Sequence, residues 1–148
     1  MSNEKSLFGK EDLIFSYTRK EAIRDGLQIE IDSNISNESG IKYPVFFTQK
    51  VWGRYVEFVP ENVAQDENGR LLDILCMFRE AVRVQNPDSP IMNFIFLCQF
   101  HKSQTWLPNE KRTKFSTIHR EVSLRSEIGA KDIDDPSPAI TIMMLDED

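Results

Sequence analysis

Residues 66–100 join a helical apolar stripe, a proline stop and an unbroken β-favouring run, and this pairing dictates where the core of the chain must lie. Leu71, Leu75, Phe78 and Val82 recur at helical spacing, with Ile74 and Ala81 beside them. Asp66 and Glu67 stand just before this helix, where the positive end of its dipole favours negative charge. Pro87 and Pro90 end it, because proline lacks the N–H and crowds the preceding turn. Residues 92–100 then predict a strand with apolar side chains on both faces.

Around this centre the remaining elements are read from local chemistry. Thr18 and Glu21 form a capping box, which predicts a short helix over residues 19–25 with Gly26 as its left-handed stop. Residues 27–31 alternate strictly and predict a half-buried strand. Residues 32–40 predict a loop or a single helical turn closed by Gly40. Residues 43–47 are extended at their start, since the residue before Pro44 avoids the helical region. Thr48 predicts the cap of a helix over residues 49–58, with Val51, Trp52, Tyr55 and Val56 on one side. Residues 60–69 read as a polar connection and 101–112 as a long loop. Residues 114–126 predict a strand with Ile118, Val122 and Leu124 on one face, 130–138 a turn, and 139–145 the last strand. Three strands in succession without intervening helices imply an antiparallel meander. The fold class is therefore α+β: an antiparallel sheet of this meander plus an N-terminal strand, with two or three helices packed on one face.

A chain of 148 residues suits one domain with one core, here residues 13–148 behind a flexible N-terminus of residues 1–12. No apolar run reaches the ~18 to 20 residues of a membrane span. The polar N-terminus shows no signal-peptide core, so a cytoplasmic protein without membrane contact is expected. Cys76 and Cys98 are too few for a disulfide scaffold, and both lie in apolar segments, where buried reduced thiols are expected. The net charge of −6 conceals a division: residues 1–68 carry −4, residues 69–126 carry +4 and residues 127–148 carry −6.

The familiar catalytic and cofactor patterns are missing. All six glycines are isolated, so no phosphate-cradling loop exists, and no serine sits in a nucleophile elbow. Cys98 and His101 form one loose pair, with Cys76 and His119 scattered; structural zinc needs two tight pairs, so neither metal nor cofactor is expected. Asp132, Asp134 and Asp135 crowd one segment and Asp146, Glu147 and Asp148 another, without the spacing of a calcium loop. The loop that begins at His101 stands apart. His101, Lys102, Trp106, Lys111, Arg112 and Lys114 place an aromatic ring among cations near a hairpin tip. Such a composition stacks on a base and contacts phosphates, or folds back so that Trp106 and Leu107 cover the sheet edge.

Segments 17–26 (YTRKEAIRDG), 43–52 (YPVFFTQKVW) and 69–79 (GRLLDILCMFR), with 140–148 (ITIMMLDED), resemble a small bacterial domain family of unknown function met on plasmids, phages and other mobile elements. The resemblance runs from Tyr17 onward and implies a bacterial or phage source. It brings no catalytic residues. Residues 86–125 depart from the family pattern, so a site on the 101–112 loop would be particular to this chain.

The leading expectation is a non-enzymatic accessory or protein-interaction module of a mobile element. Its contacts would come from His101, Lys102, Trp106, Lys111, Arg112 and Lys114 and from an exposed sheet edge. Its partner would be a protein, with nucleic acid a second ligand for the Trp106 loop and the chain a monomer or homodimer. A second reading is an acidic DNA mimic that inhibits a host nucleic-acid enzyme, which needs Asp132, Asp134, Asp135, Asp146 and Glu147 on one continuous face. A third is an enzyme with an unfamiliar site near Cys98, His101 and His119, which needs those side chains within hydrogen-bond reach.

Overall fold

The computed structural model describes residues 17–57 and 66–147. The expected flexible segment 1–12 and the start of the polar connection lie outside them. Among the described residues four helices and six strands follow one another as α1 (Arg19–Arg24), β1 (Gln28–Glu30), α2 (Ser33–Glu38), β2 (Val45–Thr48), α3 (Gln49–Val51, continued by a π-helical turn Trp52–Glu57), α4 (Glu67–Gln85), β3 (Ile91–Gln99), β4 (Glu110–Arg112), β5 (His119–Asp132) and β6 (Asp135–Met143). The fold is α+β, with a mixed and largely antiparallel open sheet in the order β1-β2-β6-β5-β3. β3, β5 and β6 form the expected antiparallel meander. β2 joins it in parallel to β6, with Phe47 opposite Ile142. The long β5 carries β3 along one side of its first half, and on its other side β4 gives way to β6.

Local chemistry sets most boundaries. Thr18 and Glu21 form both halves of the capping box, and Gly26 closes α1 at φ +78°. Asp32 caps α2 by accepting from the N–H of Asn34, and Gly40 follows at φ +83°. Asp66 accepts from the N–H of Gly69, so Asn68 and Gly69 belong to the first turn of α4 and not to the connection before it. α4 ends at Gln85, before Pro87, with Asn86 left-handed at φ 45°.

Four expectations are corrected. Residues 45–48 form a strand, because Val45 and Phe47 pack into the core while Phe46 is buried on the opposite face. Thr48 caps nothing; its hydroxyl donates to the Glu147 carboxylate at 2.7 Å, and the helix after it widens into the π turn. The strand expected from residue 114 begins at His119, leaving Ile118 exposed. The turn expected over residues 130–138 narrows to Ile133 and Asp134: β5 runs to Asp132 and β6 starts at Asp135. Pro138 fits β6 because Ile140, two residues on, donates away from β5 to Pro44, so a proline of the same parity lacks only an N–H on that side; Pro136 falls where the register between β5 and β6 shifts.

The core lies between the sheet and α2, α3 and α4, the expected helices on one face. Phe78 meets Phe94 edge-on at 5.6 Å, and Tyr55 of the π turn meets Phe96 at 5.7 Å. α1 is on the other face. The Arg19 guanidinium lies 4.0 Å above the Phe46 ring and donates to Gln28 and Thr141. The Asp132 carboxylate accepts from the N–H groups of Arg19 and Lys20, which docks α1 on the β5–β6 turn.

α1 stops short of β3, so one face of that strand stays open. Met92, Phe94, Phe96 and Cys98 are buried, whereas Ile91, Ile95 and Leu97 are about half exposed. Cys76 is exposed as well, contrary to expectation, because it sits off the stripe made by Leu71, Ile74, Leu75 and Phe78. This alternation predicts unequal costs. Phe94→Ala should lose about 3–5 kcal/mol in urea unfolding, while Ile95→Ala next to it should lose less than about 1 kcal/mol.

Candidate functional site

Between Gln99 and Arg120 the chain contains one carboxylate, Glu110, and it is taken inside the protein. Glu110 opens β4, opposite Val122 on the core side of the sheet, and its side chain has no exposed surface. Its Oε2 accepts from Arg54 Nε at 2.6 Å and from the Tyr55 hydroxyl at 2.5 Å. Its Oε1 accepts from Arg54 Nη2 and Arg120 Nη1, both at 2.9 Å, and from the N–H of Leu107 at 3.1 Å. Arg54 and Tyr55 are consecutive, and both reach one carboxylate from the π turn. Burial pushes the Glu110 carboxyl up, but the hydrogen bonds from Arg54, Tyr55, Leu107 and Arg120 outweigh it and hold the group below its ordinary range. Burial pushes the Tyr55 hydroxyl up, and its hydrogen bond to Glu110 adds to this, so it remains a donor.

The two arginines carry the ion pair outward into the loop. Arg120 donates to the carbonyls of Thr105 and Gln104, and Arg54 donates to Thr105 as well. Asn109 donates to the Tyr55 hydroxyl at 3.0 Å and to the Ser123 carbonyl at 3.1 Å. Residues 104–110 are thereby held by side chains. The Arg120 guanidinium lies 4.3 Å from the Phe100 ring and 3.9 Å from the Trp106 ring, and Arg112 is 5.4 Å from Trp106. Trp106 is folded back over this cation yet is 42% exposed, and Leu107 beside it packs against the core.

Of the residues singled out from the sequence, Trp106 and Arg112 are brought together. Lys102, Lys111 and Lys114 are exposed, and neither they nor Arg112 form an ion pair among the described residues. His101 is exposed, its Nδ1 2.8 Å from the Ser103 hydroxyl. Sequence reasoning missed Phe115, 92% exposed in the turn between β4 and β5. The signal for it was present: residues 111–120 contain no acid. It also missed Arg54, Tyr55, Glu110 and Arg120, for which no local signal exists.

The competing sites are not assembled. Cys98 lies opposite Arg120 on the core face and Gln99 opposite His119, so Cys98 and His119 face opposite sides of the sheet. The Cys98 thiol is fully buried and pushed up to about 12 by that burial, and His119 is engaged with Ser116. No group of three or more His, Cys, Asp and Glu residues fit to hold a metal occurs among the described residues. The acidic residues are divided too. Asp132, Asp134 and Asp135 flank the start of β6, and Asp146 and Glu147 follow its end, a strand of nine residues away. The two acidic groups therefore do not adjoin one another.

No helix among the described residues is long and apolar enough to cross a membrane. Compared with protein-family models, with curated proteins and with solved structures, the chain matches none.

The Glu110 cluster makes a pH-dependent contribution whose sign is set by its lowered pKa. Such a carboxylate stabilises the fold fully above its unfolded pKa, and the stabilisation is lost as pH falls through the folded value. Glu110→Gln should cost about 3–5 kcal/mol near pH 7, since it leaves Arg120 buried without its counter-charge. Urea unfolding of both proteins should show this gap closing as pH falls below the ordinary carboxylate range and the wild-type carboxyl is protonated.

Proposed function

We propose that the protein is a non-catalytic interaction module that takes up an extended segment of a protein partner along β3. The observation that carries this is the open edge of that strand. Among the described residues β3 pairs only with β5, and the main-chain groups of its even-numbered residues point toward β5, as those of Pro90 and Phe100 do at its ends. Its odd-numbered residues present N–H and C=O groups at the edge. The carbonyl of Asn93 accepts from Gln85, and Arg70 donates to the carbonyl of Gln99. The main-chain groups of Ile95 and Leu97 between them have no partner among the described residues. β3 carries neither charge nor proline, the usual guards of a sheet edge.

A hollow of about 380 Å³ adjoins β3, lined by Met77 and Val84 of α4, by Asn93 and Ile95 of β3, and by Ser123 of β5 and Leu145. An added strand would form main-chain hydrogen bonds with Ile95 and Leu97 and place every second side chain in this hollow. A cytoplasmic setting and an origin on a bacterial mobile element, which the family resemblance implies, belong to the same reading.

Hydrogen exchange with synthetic peptides of alternating apolar and polar residues tests it. The Ile95 and Leu97 amides should exchange quickly in the free protein and slow on peptide binding, and Leu97→Lys should abolish the effect. If no such peptide protects these amides, strand addition is wrong. If they are protected in the free protein in proportion to its concentration, a second copy fills the edge and the separate partner is wrong.

A further inference from the structure

We propose that the end of the molecule formed by Trp106 and the β4–β5 turn binds single-stranded nucleic acid. Charge gives the class of ligand. The only carboxylate between Gln99 and Arg120 is buried and neutralised from two sides. Every exposed formal charge in that stretch is consequently positive: Lys102, Lys111, Arg112 and Lys114. Glu121 opens the next stretch and stands opposite Lys111 in register, whereas Arg112 stands opposite Arg120. A local surface of this kind on a chain of net charge −6 selects an anionic ligand over other contacts.

The aromatic residues narrow the ligand further. Phe115 is 92% exposed beside Lys114, and no fold requirement places an uncovered phenyl ring on a turn. Trp106 is held from within by Arg120, whose own position is set by Glu110 and two loop carbonyls. An indole fixed in this way loses little freedom when a base stacks on its exposed part. Two rings interspersed with cations and with the hydroxyls of Thr113, Ser116 and Thr117 match an unpaired strand, whose bases stack while its phosphates meet ammonium and guanidinium groups. A duplex hides its base faces and leaves the rings without partners. An acidic peptide satisfies the cations and leaves them likewise unused.

This surface is separate from the β3 edge and does not depend on strand addition there. Fluorescence anisotropy of a labelled oligo-dT and an oligo-U, with a duplex DNA of the same length and a poly-glutamate peptide as competitors, tests it. Phe115→Ala and Lys114→Ala are suitable variants, because both side chains are exposed and the fold does not rest on them. The single strands should bind and resist competition by the duplex and the peptide. Phe115→Ala should weaken binding about five-fold or more, the loss of one stacked base. Lys114→Ala should weaken it and flatten its salt dependence by about one phosphate contact. Absence of binding at low salt, unchanged affinity in both variants, or displacement by poly-glutamate as effective as by unlabelled oligonucleotide would each overturn the proposal, the last by identifying an acidic protein segment as the ligand.

Discussion

The Glu110 carboxylate decides how one end of this molecule is built. It is enclosed by Arg54, Tyr55, Arg120 and the N–H of Leu107, groups drawn from the π turn, β5 and the loop before β4. Two charges removed from water are costly, and their attraction repays this only where geometry is close and the remaining donors are satisfied. Both conditions hold here, because the arginine hydrogens left over are accepted by the carbonyls of Gln104 and Thr105. The ion pair thus orders a loop that has few apolar side chains of its own. Trp106 is positioned as a consequence, since Arg120 lies against its ring.

The same economy of contacts explains the open strand. Three helices share one face of the sheet and α1 covers only the β1–β2–β6 region of the other, through Arg19, Phe46 and Thr141. β3 therefore has a packed face and an uncovered one, although its composition is apolar throughout. In a strand successive side chains point to opposite faces, so a continuous apolar run states only that both faces avoid charge. Whether both are covered depends on helices encoded elsewhere. Residues 92–100 mark the strand to within one residue, but their composition carries no sign that one of its faces meets solvent.

Elements whose determinants are local were legible in this way. The Thr18–Glu21 box, the left-handed Gly26, the stripe of α4 and the β3–β5–β6 meander all depend on neighbours within a few positions or on simple alternation. β2 escaped because its partners are the short β1 and, nearly a hundred residues onward, β6, and because its apolar run leads straight into a helix. The candidate site divides along the same line. His101, Lys102, Trp106, Lys111, Arg112 and Lys114 were visible as a loop of cations around one ring. Glu110 in the middle of them reads as an ordinary solvated acid, and its burial follows from Arg54, 56 positions away. Arg70 is a parallel case, a cation in the first turn of an amphipathic helix that is fully buried against Phe100.

Net charge misleads here for a related reason. Many of the acids are occupied as acceptors within the fold. Asp32 and Asp66 cap helices, Glu21 closes a capping box, Asp132 docks α1, Asp135 binds Ser137, and Glu147 accepts from Thr48 and from the N–H of Met144. A carboxylate suits these positions because it offers acceptors to backbone N–H groups that would otherwise lack partners. Lysine offers only donors, and the fold has no matching need at Lys102, Lys111 and Lys114. The formal count therefore overstates how much of the acidic surplus is free and hides that Lys102, Lys111, Arg112 and Lys114 form no ion pair among the described residues. What decides binding on such a surface is which charges the fold has not already used.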